Sequence, residues 1–203
     1  MSYDQLADQS AIEKTIIALN NNGFTTNFVQ DGITARAAAL GMIPAGAGVM
    51  TMTSTTLEQI GLTGALEEPG KYELVRQKLA KLDRSRDGLE MNRLGAAPEI
   101  SIGSVHAVTQ DGKIMVASNT GSQLPAYAYG ASRVIWIVGA QKIVRDLDEG
   151  FRRIYEYCLA KESERARIAY GVEASAVNKI LIFNREVNPE RISIILVGEV
   201  LGF

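Results

Sequence analysis

The chain has 203 residues, 46% of them hydrophobic and 22% charged, which is the make-up of a folded domain and excludes a disordered or collagen-like chain. Lys and Arg number 21 against 23 Asp and Glu, and the net charge of −2 offers no electrostatic footprint for nucleic acid or an anionic membrane surface. A single cysteine, Cys158, and a single histidine, His106, exclude an internal disulfide, a cysteine-rich zinc site and an iron–sulfur cluster built from this chain alone.

The chain opens on Met-Ser-Tyr-Asp-Gln-Leu-Ala-Asp, with neither the basic nor the apolar region of a signal peptide. Its longest apolar runs have strand length, so no membrane span is expected and the predicted location is cytoplasmic. Ile12, Ile16 and Leu19 recur at helical spacing, with Gly23 placed to end the helix. Phe24 to Val29 alternates as a strand, Ala35 to Leu40 is helix-prone, and Val49 to Thr53 reads as a short strand after a Pro/Gly turn. A short helix follows at Leu57 to Gly61. Tyr72, Val75, Leu79 and Leu82 then mark one face of an amphipathic helix. Residues 83–99 are charged and carry no clear period. Ile100 to Thr109 and Lys113 to Ser118 flank Asp111-Gly112, the signal of a β-hairpin. Val134 to Val138 is a continuous apolar run, the pattern of a buried strand. Leu147, Phe151, Ile154 and Cys158 line one helical face, and strands at Lys179 to Phe183 and Ile192 to Val197 complete the chain. The pattern predicts one α/β domain over residues 1–203, with a mostly parallel sheet covered by helices on both faces and an inserted β-hairpin.

Ligands of open α/β sheets sit beyond the C-terminal ends of the strands, where free backbone N–H groups favour an anion. Three polar turns are predicted at that edge. The first, Thr51 to Glu58, offers the hydroxyls of Ser54, Thr55 and Thr56, although Thr55 with Glu58 also fits a capping box. The second is Asn119-Thr120-Gly121-Ser122, where Gly121 lets the backbone approach a ligand. The third is Gly139-Ala140-Gln141-Lys142. Lys142 supplies a cation for an anionic ligand there, or is an ordinary solvated lysine. His106 lies in an alternating strand and is a candidate general base or a hydrogen-bonded structural residue. Lys142 and His106 are thus the catalytic candidates, while Cys158 on its apolar stripe reads as a core thiol. No Walker loop, GxGxxG, GxSxG or HExxH occurs, and neither a metal nor an organic cofactor is expected.

Four stretches, in this order and spacing, resemble the LUD-domain family, the lactate-utilisation proteins of the LutC type and their stand-alone relatives. They are Pro44-Ala45-Gly46 followed by Ser54 to Leu62; Ser104 to Gly112; Thr120-Gly121 followed by Tyr129 to Ile135; and Val138 to Val144. The likeness runs from Ile12 to Phe203. It implies a fold of the NagB/RpiA/CoA-transferase-like kind and a part in oxidising L-lactate to pyruvate beside iron–sulfur partner proteins. Ser54, Thr56, Thr120, Gly121 and Lys142 match the family pattern; Gln123 stands where relatives often carry Arg, which removes a bidentate anion clamp. The expectation is an accessory protein binding a small carboxylate or phosphate, with redox centres on partners. One alternative is a stand-alone sugar-phosphate isomerase or transferase using Lys142 with Asp83 or Asp87, or Glu58 as nucleophile. Another is an assembly module that forms a homo-oligomer through aromatics such as Tyr127 and Tyr129.

Overall fold

Val134, Trp136 and Val138 alternate with Ile135 and Ile137, and all five are fully buried, which requires apolar cover on both faces of their strand. In the computed structural model, which describes residues 3–203, this strand and its neighbour form the centre of a six-stranded sheet. In chain order the first half contains α1 (Gln9–Asn21), β1 (Thr25–Val29), α2 (Gly32–Gly41), β2 (Gly48–Thr51), α3 (Thr55–Gln59), α4 (Leu62–Leu66), β3 (Glu73–Leu74), α5 (Val75–Leu79) and α6 (Arg84–Ala96). The second half contains β4 (Ile100–Gly103), β5 (Ala107–Thr109), β6 (Ile114–Ser118), β7 (Arg133–Gly139), β8 (Ile143–Val144), α7 (Leu147–Arg152), α8 (Leu159–Tyr170), β9 (Lys179–Phe183) and β10 (Ile192–Val197).

The main sheet has the order β1-β10-β7-β4-β2-β3, and every pair in it is parallel. One of its faces packs Val134, Trp136 and Leu196 against Ile12 and Leu19 of α1 and against the second sheet. The other packs Ile135, Ile137 and Ile195 against Ala35 and Ala39 of α2 and Leu57, Leu62 and Leu66 of α3 and α4. The expected layout, parallel strands with helices on both faces, is therefore present. The asparagine at the end of α1 is followed by Gly23 at φ +86°, the left-handed turn predicted for that glycine.

The predicted hairpin is real, with Ala107 opposite Met115 and Val108 opposite Ile114. It is not inserted into the parallel sheet. It belongs to a second sheet ordered β8-β5-β6-β9, where β9 runs antiparallel to β6. The apolar run from Ile100 to Thr109 consequently breaks at Ser104–His106 and crosses from one sheet to the other. Gly103 is where the crossing starts, because a Cβ there would overlap Tyr127 Oη. The helix expected over Tyr72–Leu82 is also divided. The open edge of β2 pairs with Glu73 and Leu74, and only Val75–Leu79 remains helical. The charged stretch without a clear period holds α6, capped by Asp83 and burying no side chain, which explains its missing apolar stripe. Thr55 does not cap α3. Ser54 occupies the N-cap position and makes no side-chain cap bond, so the Thr55–Glu58 capping box does not form.

Candidate functional site

The C-terminal ends of β2, β4, β7 and β10 lie side by side, and the segments leaving them meet at one place. After β2 come Met52 to Thr56; after β4, Ser104 to His106; after β7, Gln141 and Lys142; after β10, Leu201 to Phe203. Most of these residues border a cavity of about 1030 Å³. Ser54, Thr55, Thr56, Asn119, Thr120, Gly121, Ser122 and His106 all line it. Asn119–Ser122 comes from the end of β6 in the second sheet, so the three polar turns do not share one sheet edge, although two of them line the cavity and the third stands behind its wall.

Lys142 is that third element, and it is not a solvated lysine. Only 2% of it is exposed. Its Nζ donates to Thr56 Oγ1 at 3.1 Å, Ser104 Oγ at 3.0 Å and the Val105 carbonyl at 3.1 Å, and all three acceptor residues line the cavity. Burial, with the added repulsion of Arg153, pulls the amine down from 10.5 to about 7. Gly202, at φ +62°, passes over this cluster so closely that a Cβ would overlap Thr56 Oγ1. Gln141, also buried, ties the same segment down by donating from Nε2 to the Leu201 carbonyl at 2.8 Å.

Arg153 is a second buried cation, fully shielded from solvent. Its Nη1 donates to the His106 carbonyl and, at 2.9 Å, to Cys158 Sγ. Lys142 and Arg153 therefore hold the consecutive carbonyls of Val105 and His106, which fixes the strand crossing. Arg153 also lies over the rings of Tyr157 and Tyr3, at 5.3 and 5.9 Å from their centroids. Among the described residues its Nε and Nη2 have no hydrogen-bond partner, and neither it nor Lys142 pairs with a carboxylate. The stripe through Leu147, Phe151, Ile154 and Cys158 does not include residue 153. Arg153–Cys158 is π-helical, and the wider turn there breaks the 3.6-residue period on which the stripe was read.

His106 accepts from the Ala117 amide at Nδ1, 3.1 Å away, so Nε2 carries the proton of its neutral ring. Burial and the charges of Lys142 and Arg153 lower its pKa to about 3. A ring that weakly basic is a poor general base near neutrality. Cys158 is buried beside Ile154, as its stripe predicted. Burial raises its thiol pKa, while Arg153 and Lys142 oppose that rise. Arg76, Arg84 and Arg165 complete the lining with positive charge. Arg76 is pinned across the first turn by bonds to the Thr51 carbonyl at 2.5 Å and Thr53 Oγ1 at 2.9 Å. Arg165 is held by Glu162 through a bidentate pair at 2.7 and 2.8 Å. Gln123 bonds Ser118 Oγ and the Ala117 carbonyl, shaping its own loop.

Several expected partners lie elsewhere. Asp83 and Asp87 serve the start of α6 and do not line the cavity, although Arg84, Met91 and Asn92 of that helix do. Glu58 is exposed and outside the cavity. Tyr127 is no surface aromatic. It is buried at 1% exposure, edge-on to Trp136 at 5.2 Å, whereas Tyr129 is 90% exposed. Sequence reasoning missed Arg153 and the role of Ser104.

A family model described as LUD domain matches residues 12–197. Among solved structures, a DUF162 family protein from Deinococcus radiodurans superposes with a TM-score of 0.58 at 12% identity, over 95% of this chain and 99% of that one. The eIF2B delta subunit from Chaetomium thermophilum aligns with a TM-score of 0.38 at 18% identity, over 71% of this chain and 57% of that one. No curated protein matches the sequence.

Proposed function

The chain belongs to the LUD domain family, whose association is with lactate utilisation, and from that premise we propose that it binds a small carboxylate or phosphate in the cavity at the edge of its parallel sheet. The observation that carries this reading is the pair of buried cations, Lys142 and Arg153, with no carboxylate to neutralise either. A buried unpaired charge costs several kcal/mol, and a bound anion is the partner that offsets it. The hydroxyls of Ser54, Thr55, Ser104, Thr120 and Ser122 and the amide of Asn119 supply directional hydrogen bonds around it. The arginines at positions 76, 84 and 165 concentrate anions at the entrance.

In this reading the protein is an accessory component of lactate oxidation to pyruvate, and electron carriers reside on partner proteins. One cysteine, and no group of three or more His, Cys, Asp or Glu side chains among the described residues, do not fit an iron–sulfur cluster. No step is therefore routed through one in this chain.

A thermal-shift panel of L-lactate, pyruvate, sugar phosphates, nucleotides and coenzyme A esters tests the proposal. A ligand at 100 times its Kd stabilises the native state by about 2.7 kcal/mol, a shift of several degrees for a domain of this size. The expected result is stabilisation by one anion class that is lost in Ser54→Ala. Stabilisation by none of them at millimolar concentration, or an undiminished shift in the variant, overturns it.

A further inference from the structure

Ser104 has a neighbourhood that anion binding does not require. It follows the last residue of β4 on the cavity wall, and Tyr127 Oη, stacked on Gly103, accepts the Ser104 backbone N–H. Its Oγ lies 3.0 Å from Lys142 Nζ. Lys142 has no carboxylate to hold its proton, and the interior disfavours its charged form. As an ammonium it spends three protons on Thr56 Oγ1, Ser104 Oγ and the Val105 carbonyl. As a neutral amine it keeps two, enough for Thr56 and Val105, and its lone pair faces Ser104.

We propose that Ser104 and Lys142 form a nucleophile–base pair that acts on an acyl ester or thioester bound in the cavity. The Ser104 hydroxyl transfers its proton to Lys142 as Oγ bonds to the acyl carbon. The bond from that carbon to the leaving oxygen or sulfur breaks, and the leaving group takes the proton back from Lys142. Water then attacks the acyl-serine by the same route in reverse roles, releasing a carboxylic acid and restoring the hydroxyl. No oxidant, reductant or metal enters this balance.

Two further features select this pair. His106, two residues on, has its Nδ1 committed to the Ala117 amide, so it is not poised to take the proton from Ser104. The cavity is also far larger than a three-carbon acid needs and falls at the upper end of the volumes that hold drug-sized ligands. Met50, Met52, Leu79, Met91, Val116 and Leu159 give it an apolar wall, which suits an acyl chain.

The test is covalent labelling of the whole protein with an alkyl fluorophosphonate, read by intact mass and peptide mapping, alongside hydrolysis of p-nitrophenyl butyrate. The expected result is one adduct per chain on Ser104, absent from Ser104→Ala. Its rate rises with pH through the titration of Lys142, around which the charged or titratable groups are Arg153, Cys158 and His106. Lys142→Arg keeps a cation but removes the base, and labelling falls roughly 100-fold or more. Should that variant fail to fold, Ser104→Cys replaces it. There Lys142 lowers the thiol pKa, and iodoacetamide alkylates position 104 ahead of buried Cys158. The proposal is overturned if the folded protein takes no adduct, if the adduct maps to another residue, or if Ser104→Ala labels and hydrolyses as before. Anion binding without labelling leaves the anion-site reading standing and removes only this one.

Discussion

Replacing Lys142 by Met keeps a long unbranched side chain and removes the buried amine. With a native pKa of about 7 against 10.5, charging this amine in the folded protein costs roughly 5 kcal/mol relative to the unfolded chain. Between those values the unfolded chain binds a proton that the folded one does not, so stability rises with pH across that window. Integrated from about pH 6.5 to 8.5, the gain from Lys142 alone is about 2 kcal/mol. His106, neutral when folded, adds about 0.4 kcal/mol over the same interval in both proteins. Urea unfolding of the parent and of Lys142→Met at the two pH values, with the m-value monitored, measures the difference directly. The parent should gain about 2 kcal/mol more than the variant. The variant also orphans the Val105 carbonyl at a cost of about 1–3 kcal/mol, but that loss is the same at both pH values and cancels. Equal pH dependence in the two proteins, or a larger gain in the variant, would refute the desolvated amine and the reasoning built on it.

Three further outcomes follow from the same geometry. His106 should remain the neutral Nε2–H tautomer in ¹⁵N-resolved NMR down to about pH 4, because its native pKa is about 3; stability should fall with pH from 6.5 downward as the unfolded ring takes up its proton, and a mid-titration near 6.5 would contradict the bond to Ala117. Gly103→Ala should cost about 1–3 kcal/mol in denaturant unfolding through overlap with Tyr127, and an unchanged midpoint would show that the crossing is looser than described. Cys158 should resist a thiol reagent in the native protein and react on unfolding, since burial raises its pKa, and Arg153→Met should slow any native reaction further by removing the cation that opposes that rise.

The continuous runs Val134–Val138 and Ile192–Val197 announced parallel central strands because burial on both faces leaves no polar alternation to blur them. Asp111-Gly112 announced its hairpin, since local turn chemistry decides pairing between neighbours. What the sequence could not convey was partnership over distance. A run such as Ile100–Thr109 looks the same whether it stays in one sheet or crosses between two, and the crossing is held by Lys142 and Arg153, dozens of residues further on. Lys142 carried a family match but no sign of burial, because its three acceptors come from Thr56, Ser104 and Val105. Arg153 was hidden by a π-helical turn that a 3.6-residue period does not anticipate. The turns holding Ser54–Thr56 and Asn119–Ser122 were legible as polar loops after strands, and they do share a cavity although they leave different sheets.

The central claim is that this cavity is an anion site built around two buried, carboxylate-free cations. A crystal structure of the protein with the anion that gives the largest thermal shift tests it most directly. The account predicts that anion inside the cavity, within hydrogen-bond distance of Ser104 or the Ser54–Thr56 turn and on the Lys142 and Arg153 side. The same anion found elsewhere on the molecule, with the cavity holding only solvent, would contradict it.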